Sequence, residues 1–464
     1  MDSLLALPRE EMRALGYRVI DILVEHFATL EEQRVGAKAV PQEIYAKLAE
    51  PPPEHGMPYE PLLEQLQRDV FPSTAHLNHP RFFAFVPGPS NYASVMAEAL
   101  AAGFNVFTGT WLGGSAAEAV ETVTIDWLRQ LCGFEESCRG LFVSGGTLAN
   151  LTALAVARHI TLDDRLDGAV VYLSDQAHSS LEKALRILGL LPEQIRRLAC
   201  DEQFRLSLSG LSAAIAQDRA AGRRPFCVIA SAGTINTGAI DPLPELRKLC
   251  DAERLWLHVD GAYGAAAVLC EEGRRLLDGL PLADSLSLDP HKWLFQPLET
   301  GCVLVRQGAH LRNTFRLLPD YLQDVHRHSE EVNYTDLGIQ LTRSFRALKV
   351  WLSFKMFGVA AFRESVARGF RMAELAERRL REMPEWEISS PAQMAVVCFR
   401  YQRGDDALHA KLVEAMLEDG FALCTSTNLR GRTVLRMCTI NPRTTEQDII
   451  DTLARIEKLV AQIS

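Results

Sequence analysis

The chain has 464 residues, 47% of them hydrophobic and 23% charged, and its 49 basic against 59 acidic side chains give a net charge of −10. That length exceeds one small core and implies two domains plus an appendage, while an acidic balance without a basic cluster argues against nucleic-acid partners and for small molecules. Ten cysteines with no CxxC pair, an N-terminus (Met1-Asp2-Ser3-Leu4) with no basic stretch before an apolar core, and no run of membrane-spanning length predict a cytoplasmic protein without disulfides, structural metal, secretion signal or membrane segment.

Residues 1–75 read as a helical arm, amphipathic from Glu10 to Leu30 and broken at Pro51-Pro52-Pro53. Such an arm cannot bury its apolar stripe alone and must lie on another surface. Over residues 76–358 short apolar strands alternate with helices: Arg139 to Val143, Ala169 to Leu173, Phe226 to Ala230, Leu255 to Val259, Ser285 to Leu288 and Gly301 to Val305. This alternation predicts an α/β fold with a large, mostly parallel sheet covered on both faces and its chemistry at the strand ends. A helical stretch, Leu337 to Met356, leads out of that domain. Residues 359–464 mix helices (Ala360 to Arg381, Asp405 to Leu417, Thr445 to Ile463) with strands near Met394 to Arg400, Phe421 to Thr425 and Thr433 to Met437, and read as a small C-terminal α/β domain.

Three strand ends in the large domain carry chemistry. After the first, Ser144-Gly145-Gly146-Thr147 makes a tight turn into a helix from Leu148 to Ile160, so backbone N–H groups face an anion. Alone, such a turn is more often a plain loop. Next, Leu257-His258-Val259-Asp260-Gly261-Ala262 ends a strand in an acid, which is costly to bury unless a cation such as a protonated pyridine nitrogen meets it. Then Asp289-Pro290-His291-Lys292-Trp293 sets a lysine among Pro290, Trp293, Leu294, Phe295 and Pro297, a setting that disfavours the ammonium and frees a nucleophilic amine. A lone lysine there would as readily snorkel from a strand end. A lysine for an aldehyde, an acid for a ring nitrogen and a phosphate cradle together are what pyridoxal 5'-phosphate requires.

The sequence resembles the group II pyridoxal-phosphate-dependent amino acid decarboxylases, most of all their aromatic L-amino acid branch. The likeness runs from His76-Leu77-Asn78-His79-Pro80-Arg81-Phe82-Phe83 through the Gly-Gly-Thr turn, Asp175-Gln176-Ala177-His178 and His258-Val259-Asp260 to Pro290-His291-Lys292-Trp293 and Phe345-Arg346-Ala347-Leu348-Lys349. It implies a fold type I enzyme like aspartate aminotransferase, working as a homodimer with the arm packed on the partner. It also implies that Lys292 is the Schiff-base lysine, that Asp260 pairs with the pyridinium, and that His178 stacks on the ring opposite Ala262. Gly146 and Thr147 would hold the phosphate, with Asn150 and His291 in the same region, and Thr234 would support the cofactor or Asp260. The aromatic branch commonly has Asn at the place of Asp289; a carboxylate beside a phosphate would repel it, so Asp289 is expected to face away or to pair with an arginine.

Pyridoxal phosphate supports decarboxylation, transamination and oxidative aldehyde formation, and the anchor motif alone does not separate them. The resemblance favours decarboxylation to an amine, because Tyr321 falls in a segment resembling the family's catalytic loop, where its hydroxyl would protonate the α-carbon. A phenylalanine there would point to an aldehyde-forming relative. For the amino acid substrate, the resemblance implies a pocket of Leu77, Phe85 and Val86, with Phe107 and Trp111 from the other subunit. Its apolar character puts aromatic substrates first, other apolar or small amino acids second and acidic ones last, since Arg81, the sole cation of the first pocket segment, is expected to face outward.

Overall fold

In the computed structural model residues 5–317 and 330–463 are described. Among these, seven strands form one sheet: β1 (Arg139–Val143), β2 (Ala169–Ser174), β3 (Ile195–Leu198), β4 (Arg224–Ser231), β5 (Trp256–Asp260), β6 (Ser285–Leu288) and β7 (Gly301–Val305), in the order β1-β7-β6-β5-β4-β2-β3. Neighbours are parallel except where β7 lies antiparallel between β1 and β6. β2, β5, β6 and β7 are buried throughout, which suits the apolar runs of β2 and β7 and, in β5 and β6, goes with buried polar residues such as His258, Asp260 and Ser287.

Alternate residues of each strand enter opposite cores. Val170, Tyr172, Val228 and Ala230 join one, which packs against Ala347, Val350, Phe354 and Phe362. Val171, Leu173, Cys227 and Ile229 join the other, roofed by the helix Gly146–Leu162. A third core lies on the antiparallel sheet β10-β11-β9-β8, formed by β8 (Trp386–Gln393), β9 (Val396–Tyr401), β10 (Thr425–Leu429) and β11 (Arg432–Cys438). Phe82, Phe83 and Ala84 belong to that third core although they precede the large sheet in sequence. Phe83 N–H donates to Leu423 O at 2.9 Å and Phe83 O accepts from Cys438 N–H at 3.1 Å, which fixes the segment there.

Several elements differ from expectation, among them β3 (Ile195–Leu198), whose two central arginines hide it from a search for apolar runs. The stretch expected as a helix from Leu337 is irregular up to Arg346, and one helix, Ala347–Arg381, runs on with a kink at Gly358 (φ 74°). The tie is tertiary: Arg343 pairs with Glu121, both essentially fully buried, and also donates to Thr108 O and Phe142 O. β8 was not foreseen, because its polar sequence with two register shifts carries no alternation. The strand expected at Phe421 to Thr425 begins only at Thr425.

The helix Arg9–Ala28 buries none of its residues in this chain, and Met12, Tyr17 and Val24 are exposed on it. Among the described residues no helix is long and apolar enough to cross a membrane.

Candidate active site

Strand register brings the site together. Ser231 on β4 pairs with Asp260 on β5, and Asp260 with Ser287 on β6, so three polar side chains stand abreast at the carboxyl edge of the parallel strands. β1 ends at the same edge, where its Val143 pairs with Gly301 of β7. A Cβ on Gly301 would lie 2.5 Å from Gly145 Cα, so only glycine lets the Ser144–Thr147 turn sit down on the sheet. A cavity of about 400 Å³ opens there, lined among others by Gly145, Gly146, Thr147, His178, Thr234, Asp260, Ala262, His291 and Lys292.

At one end Asp260 accepts from Ala262 N–H (3.1 Å), Ser287 Oγ (3.1 Å) and Asn150 Nδ2 (3.2 Å). At the other, the helix Gly146–Leu162 presents the N–H groups of Gly146 and Thr147, ahead of those of Leu148 and Ala149, which bond Gly145 O. A Cβ on Gly146 would meet Asp289 Oδ2 at 2.8 Å and Ala262 Cβ at 3.0 Å, so only a bare backbone lets the turn come this close to them. Lys292 Nζ stands between these ends, 3.0 Å from Asp289 Oδ2. The other oxygen of Asp289 is buried without a hydrogen-bond partner among the described residues. An amine, an all-acceptor carboxylate and an open helix N-terminus around one cavity fit pyridoxal phosphate, with the Asp289 carboxylate as a neighbour that its phosphate must tolerate.

His178 caps the helix Ser179–Ile187, its Nδ1 accepting from Ser180 N–H at 3.1 Å. It is open towards the cavity, yet the protein packed around it lowers its pKa, with Asp260 pulling the other way. His291, likewise lowered by burial, places Nδ1 2.8 Å from Thr300 O. Thr234 Oγ1 is 3.0 Å from Thr237 Oγ1 and bonds the turn at Ala239 N–H, while the residue lines the cavity.

Several expectations change. Asp289 neither faces away nor meets an arginine: Lys292 N–H donates to Asp289 O at 2.9 Å, and the turn so formed brings the two side chains together. Trp293, Leu294 and Phe295 are buried in the core, so Lys292 faces a carboxylate and not an apolar wall. Asn150 is fully buried beneath Asp260, with no side-chain face on the cavity. Arg81 is not outward: it pairs with Asp448 (2.9 Å), donates to Glu31 O and stacks on Phe421, away from the cavity. Of the five expected pocket residues Val86 lines this chain's cavity, whereas Leu77 packs on the third core and Phe85 is exposed with φ 52°. Phe107 and Trp111 lie apart, beside Gly109 and Gly113 and against Asn333 Oδ1 respectively. Tyr321 lies outside the described residues.

Sequence reading missed two groups. Arg436 on β11 is 3% exposed; its Nη1 donates to Phe85 O at 2.6 Å, and its Nε and Nη2 have no hydrogen-bond partner among the described residues. It does not itself line the cavity. His258, read only as part of a strand, is fully buried behind Asn150.

Among known proteins, residues 41–402 match the family model described as the pyridoxal-dependent decarboxylase conserved domain. The chain is 47% identical to an aromatic-L-amino-acid decarboxylase of Bacillus atrophaeus, covering all of this chain and 98% of that protein. It is 32% identical to a phenylacetaldehyde synthase of Petunia hybrida, covering 94% and 92%. In three dimensions it is similar to the crystal structure of Catharanthus roseus tryptophan decarboxylase in complex with L-tryptophan, with a TM-score of 0.92, 28% identity and 99% of each chain covered. It is equally similar to that of Oryza sativa TDC with PLP and tryptamine, with a TM-score of 0.94, 27% identity and 99% and 100% covered.

Proposed function

The chain belongs to the pyridoxal-dependent decarboxylases, and on that premise we propose that it converts an aromatic L-amino acid to the corresponding amine and carbon dioxide as a homodimer. The observation that carries this reading is the convergence of Lys292, Asp260 and the Gly145–Gly146–Thr147 turn on one cavity. The aromatic substrate rests on the full-length likeness to the Bacillus atrophaeus enzyme.

Bound there, pyridoxal phosphate supplies an electron sink for the pair released when the bond from Cα to the carboxylate breaks. Lys292 would hold the cofactor through its amine. Asp260, held by three donors, would keep a proton on the ring nitrogen. Gly146 and Thr147 would bind the phosphate, with His291 beside them, and His178 and Ala262 would hold the ring. The Tyr321 hydroxyl delivers the proton that replaces carbon dioxide on Cα.

The exposed apolar residues of the helix Arg9–Ala28 support an arm that packs on a second copy, and Phe107 and Trp111, apart from this chain's cavity, support a pocket completed across the interface. A fully active monomer at assay dilution would contradict the dimer.

The test of the reaction is product analysis with phenylalanine, tyrosine, tryptophan, dihydroxyphenylalanine and hydroxytryptophan. Equal amounts of amine and carbon dioxide are expected, and aldehyde, ammonia and peroxide as main products would instead give the chain the chemistry of its aldehyde-synthase relatives. Tyr321→Phe should lower amine formation on the order of a hundredfold to ten-thousandfold. An unchanged rate would move the proton-donor role to another group.

A further inference from the structure

Behind Asp260 runs a chain of buried hydrogen bonds whose direction is fixed by the carboxylate at one end and permitted by an indole N–H at the other. Trp256 Nε1 donates to Ser285 Oγ at 2.9 Å, and Ser285 Oγ lies 2.9 Å from His258 Nδ1. His258 Nε2 is 2.9 Å from Asn150 Oδ1. The Asn150 amide then branches, with Nδ2 reaching Asp260 Oδ2 at 3.2 Å and Ser180 Oγ at 3.3 Å. Ser180 Oγ is 2.7 Å from His178 Nδ1. Trp256, Ser285, His258, Asn150, Ser180 and Asp260 are each at most 9% exposed, so bulk water does not rearrange the chain.

An indole N–H can only donate, so Ser285 accepts from Trp256 and its own hydrogen is free for His258 Nδ1. A carboxylate can only accept, so Asn150 must turn its NH2 to Asp260 and its carbonyl to His258. The Asn150 carbonyl therefore requires the proton of His258 on Nε2, and a neutral ring then leaves a lone pair on Nδ1 that the Ser285 hydroxyl is free to meet. Burial agrees, pushing His258 down to about 4 despite the charge of Asp260. A flipped Asn150 would set its carbonyl against the carboxylate and its NH2 against an N–H, so His258 locks the amide.

We propose that Asn150 and His258 are positioning residues: neutral His258 fixes the Asn150 amide, which holds Asp260 as an acceptor for the cofactor's ring nitrogen and, through Ser180, keeps the proton of His178 on Nε2. This rests on Asp260 being the partner of that nitrogen. The chain links Asp260 to His178, and its members from Trp256 to Asn150 do not line the cavity.

The first test needs no cofactor. In apo-protein labelled with 15N-histidine, assigned with His258→Gln and His178→Gln, both histidines should be neutral with protonated Nε2 between about pH 7 and pH 8, above the ordinary histidine value from which both are lowered. A protonated Nδ1 or a cationic ring at His258 would overturn the proposal. Because this reading is made without pyridoxal phosphate, a protein that failed to bind the cofactor would sink the proposed function and leave the tautomer result standing.

The second test uses the holoenzyme. Asn150→Leu, similar in volume and without the amide, should lower kcat roughly tenfold to hundredfold with KM little changed, as for one lost bond to a charged group. The 15N signal of ring-labelled pyridoxal phosphate should move toward unprotonated pyridine. Asn150→Asp can meet Asp260 only by bringing its own proton, so it should recover activity as pH falls and lose it as pH rises. Wild-type kcat and ring-nitrogen signal in Asn150→Leu, or a flat pH profile for Asn150→Asp, would remove Asn150 from the role. Should the leucine variant not fold, the aspartate variant and the wild-type tautomers still decide.

Discussion

At the β5 end of the cavity Asp260 accepts three hydrogen bonds from Ala262, Ser287 and Asn150, whereas at the glycine-turn end Asp289 meets Lys292 with one oxygen and leaves the other buried without a partner. Both are carboxylates on strand ends of one sheet, nearly equally hidden, and they are built on different terms. A buried carboxylate with its donors already in place does not reorganise when a cation arrives, and that preorganisation is where a site draws most of its electrostatic effect. A buried oxygen without a donor costs on the order of 1 to 3 kcal/mol until something meets it. The ring end has its donors in place, whereas the glycine-turn end keeps a carboxylate oxygen that a bound phosphate, itself an acceptor, does not meet.

Lys292 lines the cavity that both ends share, so its removal should have the largest effect. Lys292→Ala should lose more than the roughly ten-thousandfold that loss of a general acid or base costs, since the covalent hold on the cofactor goes with the amine. Borohydride should fix pyridoxal phosphate to the Lys292 peptide of the wild type, read by mass spectrometry, and to no peptide of the variant. Label on a different lysine would remove Lys292 from its role.

Breaking the complete end comes next. Asp260→Ala should retain cofactor but lose activity on the order of a hundredfold to a thousandfold, the range for removal of a preorganised electrostatic partner. Ser287→Ala, which leaves two of the three donors, should cost far less. If the two variants fell equally, the carboxylate would matter only as part of the packing.

The contrast extends to a carboxyl away from the cavity. Glu118 is fully buried in the helix Trp111–Leu131 and neither oxygen has a hydrogen-bond partner. Burial, then the charge of Glu121, raise its pKa from 4.5 to about 8, against the pull of Arg343 and with Asp336 and Glu331 adding to the rise. The folded chain therefore holds this proton where the unfolded chain has released it, and the stability it brings is complete below 4.5 and is lost as pH rises toward about 8. Glu118→Gln removes that slope. The variant should gain about 1 to 3 kcal/mol over wild type near pH 8 and progressively less toward pH 5, read by unfolding across that range. An equal gain at both pH values would mean that charge is not the cause.

Much of this was legible in the sequence, and the exceptions share a cause. Strands such as Ala169–Ser174 and Gly301–Val305 declare themselves by unbroken apolar runs between turns, and Lys292, Asp260 and the glycine turn by residue type at strand ends. β8 has polar residues and broken register, and residues 337–346 owe their course to one buried ion pair from Arg343 to Glu121, far away in sequence. Asn150 and His258 carry no motif of their own; only the parallel pairing and the helix Gly146–Leu162 bring their side chains to Asp260. Arg436 was invisible for the same reason, being one of many arginines until the fold sets it against Phe85 with donors to spare.

The smallest expected effect belongs to the open end and to the residue the sequence read least well. Asp289 Oδ2 lies against the glycine turn, where even a Cβ on Gly146 would be only 2.8 Å away, so a phosphate bound by that turn has a carboxylate as neighbour. Lys292 Nζ offsets that charge at 3.0 Å while its amine is free, and capture of the aldehyde changes what the amine can offer. Asp289→Asn keeps the shape and removes the charge. Apo-protein of this variant should therefore bind pyridoxal phosphate more tightly, by roughly threefold to tenfold, where tenfold is about 1.4 kcal/mol. Pyridoxal, which has no phosphate, should bind the two proteins alike, so the comparison isolates the repulsion from any change in Lys292. Weaker binding of pyridoxal phosphate by Asp289→Asn would reverse the assignment: the carboxyl would then be donating its own proton to the phosphate, and the orphaned oxygen would mark a phosphate ligand and not a neighbour tolerated beside it.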